Sequence, residues 1–422
     1  MLANKSIIGI RSFLLSVGAT AASTFVGIYA VLIGATASEM GWLQSSANAI
    51  SNGGQILWGK MSDRTGSRKI FLVVGSIVLG VLWLIMPYTG NPLNLIIVYS
   101  LISLFGSMMS VNWFSLIADL ADSSIRGKFL TFVNNISSGG AIVSLVVMVF
   151  LFGNDLQSNI MLPFFLSSAT YMISSVLLIG LKETRHKARF EGSLIATIRK
   201  IRYDENFFPY FRATNVQGFF WSMAWPMFPI TIVSVMGFGL RVVAILTIVS
   251  LTVTIVIQTL LGRVNDKTQR PPLIFINRVM LSLIPVFYAF FHSFLLFILL
   301  EAYSGFLAAL QNIVMNSYLL DIIPTRRRAE YISIINGFNG LVYLMGALTG
   351  GYLLQYALSV FPLAKALEFS YMIVFAGRFS SSFLFLKLKE PEKKGRTPLG
   401  LFSILYKQKV PGSPSGGTIK MR

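Results

Sequence analysis

The sequence predicts an all-α membrane protein: twelve transmembrane helices in two pseudo-symmetric six-helix bundles. Three observations carry that expectation. Apolar runs long enough to cross a bilayer recur twelve times, in a chain that is 54% hydrophobic and only 12% charged. A short charged loop motif returns half a chain later. Lysine and arginine collect in alternate loops, as the positive-inside rule requires of a multi-pass chain.

The elements follow in order. Residues 1–6 lead into an apolar run over 7–35, too long for a cleaved signal peptide and therefore read as helix 1. Helices 2 to 6 are placed near 38–59, 70–88, 93–120, 128–152 and 160–181. Helices 7 to 12 are placed near 207–236, 240–262, 273–291, 293–320, 329–356 and 368–388. The halves are thus 1–181 and 207–390, joined by a basic segment over 182–206. In that segment Leu194, Ile198 and Ile201 share one helical face, with Arg199, Lys200 and Arg202 on others. It reads as a short amphipathic helix on the membrane surface, or alternatively as an unstructured basic linker. Residues 391–422 are basic and rich in Gly, Pro and Ser, the composition of a disordered tail.

Charge sets the topology. The formal net charge is +19. With the N-terminus cytoplasmic, the inner loops and termini hold 29 of the 35 basic residues. The outer loops hold two, Arg241 and Lys365, and four (Arg11, Arg212, Arg278 and Arg378) fall within helices. Both termini are therefore expected in the cytoplasm of a prokaryotic cell, with the basic excess facing anionic lipid headgroups and not a nucleic acid. The chain has no cysteine, and His186 and His292 are its only histidines, so no metal site and no cofactor is implied. No phosphate-binding loop or nucleophile–base arrangement is visible, so the chain is not read as an enzyme.

The repeat is specific. Gly59-Lys60-Met61-Ser62-Asp63-Arg64-Thr65-Gly66-Ser67-Arg68 follows helix 2, and a degenerate copy, Gly262 to Arg270 with Asp266, begins 203 positions later. Asp119 and Arg126 after helix 4 match Asp321 and Arg328 after helix 10, each 202 apart, as do Asn134 and Asn336. Six spans per repeat return each copy to the same face, so this is a parallel duplication.

With these residues in view the chain resembles the major facilitator superfamily. Gly59, Asp63, Arg64, Gly66 and Arg68 look like its signature loop, and Ala118-Asp119 through Arg126-Gly127 is similar to its second common element. Met223-Ala224-Trp225-Pro226-Met227-Phe228-Pro229 looks like a stretch frequent among its prokaryotic members. The resemblance implies two bundles around a central cavity lined mainly by helices 1, 4, 7 and 10, rocking to expose it to each side in turn. It also implies a gate at the motif loops. Gly59 would let helix 2 approach helix 11 at Gly346, Ala347, Gly350 and Gly351. Asp63 would sit near the N-terminus of helix 11, and Arg64 and Arg68 would pair with Asp119 or Asp122. The second copy, with Gln269 where Gly66 falls, would gate more weakly through Asp266, Arg270, Asp321 and Arg328. The alternative is a set of loop charges that only fix topology.

Glu301 is the candidate proton-coupling group. It lies about eight residues into helix 10, on a face with Ser304, Gly305, Ala308, Asn312 and Met315. A carboxyl there loses hydration and can bind and release a proton; otherwise it forms a structural ion pair with Arg378 or Arg278. Helix 4 carries Ser100, Ser103, Ser107 and Ser110 on one face, leading to Asn112 and Trp113. Helix 1 offers Ser16, Thr20 and Ser23, and helix 7 offers Asn215, Gln217, Trp221 and Trp225. Of these, Thr20, Ser103, Ser107, Trp113, Gln217, Trp221, Trp225 and Asn312 are the cavity candidates. Tryptophans among few charges suggest a neutral or amphipathic organic solute. Arg11 and Arg212, each about one turn inside the membrane, are expected to snorkel to headgroups. Helix 5 lacks the Gly-Pro pair of the family's drug/proton antiporters, and no sugar-porter or peptide-transporter signature appears.

The sequence therefore predicts a secondary active transporter acting by alternating access, monomeric and coupled to protons. It would carry a small organic solute, as an exporter of amphipathic compounds or as an importer or facilitator of a small polar metabolite. A membrane solute sensor on the same fold is the alternative from another class.

Overall fold

In the computed structural model, residues 2–120, 126–152, 159–181, 201–261, 269–324 and 328–391 are described, and they contain helices and turns but no strand. The first six helices are α1 Leu2–Leu32, α2 Ala37–Thr65, α3 Arg68–Ile85, α4 Pro92–Leu120, α5 Arg126–Leu151 and α6 Leu162–Ile179. The second six begin with α7, Phe207–Met223 extended by Met227–Ile230 and a π-turn at Thr231–Val235, followed by α8 Leu240–Leu261. Then come α9, Arg270–Ser282 with Ile284–Phe290, α10 Phe294–Ile322, α11 Arg328–Val360, and α12, Leu363–Ser382 with Phe383–Lys387. The segment 182–200 and the tail from 392 lie outside the described residues, so the amphipathic-helix and tail expectations are not addressed.

Eleven of the twelve helices are long and apolar enough to span a membrane. The exception is α2, which has the length, 29 residues, but carries Gln, Asn and Ser along it. Its main packing partners are α4 and α11, and polar residues such as Ser45 and Ser46 lie in that packing. By contrast, α3 exposes Ile70, Val74, Ile77, Val81 and Leu84, three or four residues apart, a stripe suited to acyl chains.

Local chemistry sets the helix ends. Thr36 and Glu39 form a capping box that starts α2, and Gly66 ends it in the left-handed region at φ 69, its N–H donating to the Ser62 carbonyl. Gln269, where the second copy lacks that glycine, has φ −62 and extended backbone, and Pro271 follows at the start of α9.

Packing divides the helices into two sets. In the first, α1 packs on α5 and α6, α2 on α4, and α3 on α4 and α6. In the second, α7 packs on α11 and α12, α8 on α10, and α9 on α10 and α12. Contacts between the sets run from mid-membrane to the face opposite the termini. Asn52 meets Gly340, Gly41 meets Ala347 and Gly351, and the Trp42 indole donates to the Tyr352 hydroxyl at 3.1 Å. On the same face Phe25, Met148 and Phe152 pack with Leu240, Val243 and Ala244.

Towards the basic face, the one carrying the termini, α2 and α11 part. Gly53 and Gly337 have open space where a Cβ would stand, and a cavity of about 300 Å³ lies between Ala49, Gly53 and Ile56 on one side and Ser333, Gly337 and Phe338 on the other. Gly59 therefore does not meet α11; its nearest neighbour is Val111 of α4. The glycine of α2 that meets α11 is Gly41, while Gly346 and Gly350 face α7 at Phe219 and Met223. The expectation for Gly59 is corrected for this conformation because the helices diverge before reaching it.

Candidate functional site: buried arginines, tryptophans and one carboxyl

Arg11 is fully buried, and its guanidinium carbon lies 3.8 Å from the centre of the Trp113 ring. This corrects the snorkelling expectation. Ile8 and Ser12, on the same face of α1, are buried as well, so the side chain points into the bundle. Arg212 does stay exposed. At the 202-residue offset relating helices 4 and 10, Arg11 corresponds to the buried Ala213, and Arg212 sits one residue, about 100° of helix, away from that face. All three guanidinium nitrogens of Arg11 lack a hydrogen-bond partner, so the Trp113 ring is its main compensation.

A second cluster lies in the other bundle. Arg278 of α9 and Arg378 of α12 are both buried, with guanidinium carbons 5.9 and 5.2 Å from the Trp221 ring of α7. Arg378 donates to the Phe220 and Trp221 carbonyls at 3.3 and 2.7 Å, just before α7 breaks at Ala224–Pro226. Arg278 reaches the Met315 sulfur. Met315 stands 202 residues after Trp113, so each bundle sends a guanidinium to the same place on its fourth helix, from different neighbours. Trp225 packs edge-on against Tyr343, with centroids 5.2 Å apart.

Neither arginine pairs with Glu301. The Tyr288 hydroxyl donates to Glu301 Oε1 at 3.3 Å, and the Ser250 hydroxyl of α8 lies beside the carboxyl. The approach is close because Gly305, one turn on, lies against the Ser250 backbone, and Thr254 donates to the Gly305 carbonyl at 3.0 Å. The ion-pair alternative for Glu301 is thus replaced by a neutral hydroxyl cage. Tyr288, which sequence reasoning did not single out, also packs on Phe228 of α7 at 4.4 Å.

The serine face of α4 is mostly a packing surface. Ser100 donates to Ser46 at 3.0 Å, and the buried Ser107 lies where a side chain on Gly54 would stand, so both serve the α2–α4 contact. Ser103 donates to its own helix at the Tyr99 carbonyl. In α1, Ser16 donates to the Ser137 carbonyl of α5 at 2.5 Å, while Thr20 is half-buried. Gln217 is buried against α12, donating to Ser382 at 3.4 Å. Asn312 is exposed. Ser107 and Gln217 are therefore turned into their bundles and away from a shared cavity.

At the basic face ion pairs form within each half. Arg68 reaches Asp63 at 3.5 Å, and Arg64 is exposed. Lys69 donates to the Ile179 and Leu181 carbonyls at 2.7 and 2.8 Å, a cation on the C-terminus of α6. Arg270 pairs with Asp321, both largely buried, and its backbone N–H donates to Glu390 at 2.7 Å. The motif's second copy thus carries a closely formed pair despite lacking the glycine. Asp266 and the side chains of Asp119, Arg126 and Arg328 lie outside the described residues.

Comparison with known proteins fits this architecture. The family model of the Major Facilitator Superfamily matches residues 8–214 and again 210–411, once per half. A protein of Bacillus subtilis (strain 168), described as the uncharacterized MFS-type transporter YitZ, is 31% identical over 125 residues, spanning 29% of this chain and 73% of its own. Among solved structures, the nucleoside transporter NupG superposes with a TM-score of 0.74 at 14% identity, covering 90% of this chain and 98% of its own. A D-xylose–proton symporter gives 0.69 at 16%, covering 94% and 99%. An inward-facing bacterial homolog of the human lysosomal transporter Spinster gives 0.67 at 12%, covering 92% and 98%. With both halves matched by the family model and the whole membrane part shared with these structures, the chain belongs to the Major Facilitator Superfamily.

Proposed function

We propose that this chain is a secondary active transporter that moves a small organic solute across the cytoplasmic membrane by alternating access, driven by protons that bind Glu301. The observation that carries the reading is the asymmetry between the two faces. The bundles are joined from Asn52–Gly340 outward to Phe25 and Leu240, while towards the basic face α2 and α11 part around Gly53 and Gly337, leaving a cavity of about 300 Å³ between them. That is the arrangement of a rocker closed on one side and free to part on the other.

The basic face is the cytoplasmic one in this reading, from the lysine and arginine bias. Asp63, Arg64 and Arg68, with Asp119 and Arg126, form the first half of a gate there. Asp266, Arg270, Asp321 and Arg328 form the second. Glu301 is suited to proton coupling because its partners are hydroxyls that can serve either protonation state. Thr20, Trp113, Trp221, Trp225 and Asn312 remain the residues proposed to meet the solute. Export fits as well as import.

Purified protein in liposomes tests the reading. An imposed pH gradient should drive uptake or release of a labelled solute found by thermal-shift screening, since a ligand of the folded state stabilises it. Binding without flux under any gradient would replace the transporter by a sensor.

A further inference from the structure

We propose that Arg278, Arg378 and Trp221 form an anion-binding site inside the second bundle. Two buried arginines from different helices both approach one indole there. Each guanidinium lies within 6 Å of the Trp221 ring centre, at 5.9 Å for Arg278 and 5.2 Å for Arg378. The other ionisable groups beside Arg278 are Tyr210 and Tyr343, and the one beside Arg378 is Tyr371, so the cluster has hydroxyls and no described carboxylate. The nearest intramembrane acid by sequence, Glu301, is engaged by Tyr288 and Ser250.

The donor groups are only partly used. Arg378 spends two N–H groups on the Phe220 and Trp221 carbonyls, whereas the buried Nε of Arg278 has no partner and its Nη2 meets only the soft sulfur of Met315. A buried charge without a counter-charge is costly, and two in one bundle repel. An anion bound by the free N–H groups, with Tyr210 or Tyr343 adding an O–H donor, supplies the missing counter-charge and lessens both penalties. The ligand chemistry is a compact anion of about one charge: a halide-like inorganic ion, or the carboxylate or phosphate end of a solute. Arg11 differs because it is a single charge held at 3.8 Å over the Trp113 ring. The site does not depend on the chain being a transporter.

Iodide, which quenches indole on contact, is the direct probe. Full-length protein in detergent is titrated with sodium iodide at constant ionic strength, using gluconate as the replacement salt. A saturable quench is expected, displaced by chloride or by short monocarboxylates and phosphate. The saturable part should vanish in Trp221→Phe and survive in Trp113→Phe. In Arg278→Gln its half-saturation should rise about tenfold, the loss of one charge-assisted hydrogen bond. Displacement by chloride alone identifies an inorganic ion, and displacement by the organic acids identifies the end group of a solute. A linear, non-saturable quench in the wild-type protein overturns the proposal without reference to any variant. So does a saturable quench that persists in Trp221→Phe.

Discussion

Gly41 of α2 and Gly351 of α11 meet backbone to backbone: a Cβ built on Gly351 would stand 2.9 Å from the Gly41 Cα and 2.7 Å from the Ala37 carbonyl. Neither neighbour is a flexible side chain, so only two glycines allow this approach. Gly351→Leu should force the bundles apart on the face opposite the termini, costing the present conformation about 1–3 kcal/mol. Because the chain has no cysteine, spin labels at the exposed Tyr88→Cys and Tyr356→Cys report that separation while leaving the Trp42–Tyr352 hydrogen bond in place. Their distance distribution should shift outward in the Leu variant. An unchanged distribution would mean that the contact does not hold this face closed.

Asp63 lies 3.5 Å from Arg68, and both side chains are partly exposed. Such a pair contributes little to folding, about 1 kcal/mol or less. Asp63→Asn should therefore leave membrane insertion and thermal stability nearly unchanged. If the loop is a gate, the same loss falls on one state of the transport cycle, and flux should drop about fivefold. Wild-type flux in liposomes would reduce the motif to a topology signal.

Much of this architecture was legible because it depends on local pattern. Apolar runs marked the spans, and the Asp119–Asp321 spacing marked the duplication. Partners were harder to read, because a helical face says which residues travel together but not which helix they meet. The serines of α4 share a face as expected, yet that face meets α2 at Ser46 and Gly54. Arg278 and Arg378 stood out as intramembrane charges, and Glu301 was their natural partner by charge. They converge instead on Trp221, a contact among three helices that periodicity cannot reveal. The burial of Arg11 was the one misreading the sequence could have prevented. Applying the repeat offset to α1 aligns it with Ala213 and not with Arg212.

Arg270 and Asp321 offer a stability test. Both side chains are largely buried, at 5% and 12% exposure, so removing one takes a close counter-charge from the other. Asp321→Ala should destabilise the protein by about 3 kcal/mol in denaturant titration. Adding Arg270→Met should recover most of that loss, since an apolar pair leaves no orphan charge. Equal stability of the single variant and the wild type would show that Glu390, which accepts the Arg270 backbone N–H, or another neighbour already balances the arginine.

Glu301 separates coupling from structure. Its cage consists of the Tyr288 hydroxyl at 3.3 Å and Ser250, and both groups can hydrogen-bond to an amide as well as to an acid. Glu301→Gln should therefore fold like the wild type while losing the proton site. Flux driven by a solute gradient should continue, and its dependence on pH between about 5.5 and 7.5 should disappear. Tyr288→Phe keeps the carboxyl but removes one of its hydroxyl partners, so pH dependence of flux should persist in that variant. If flux through Glu301→Gln still varies with pH as in the wild type, the proton is carried elsewhere, and the hydroxyl cage is only a means of burying a polar side chain between α8, α9 and α10.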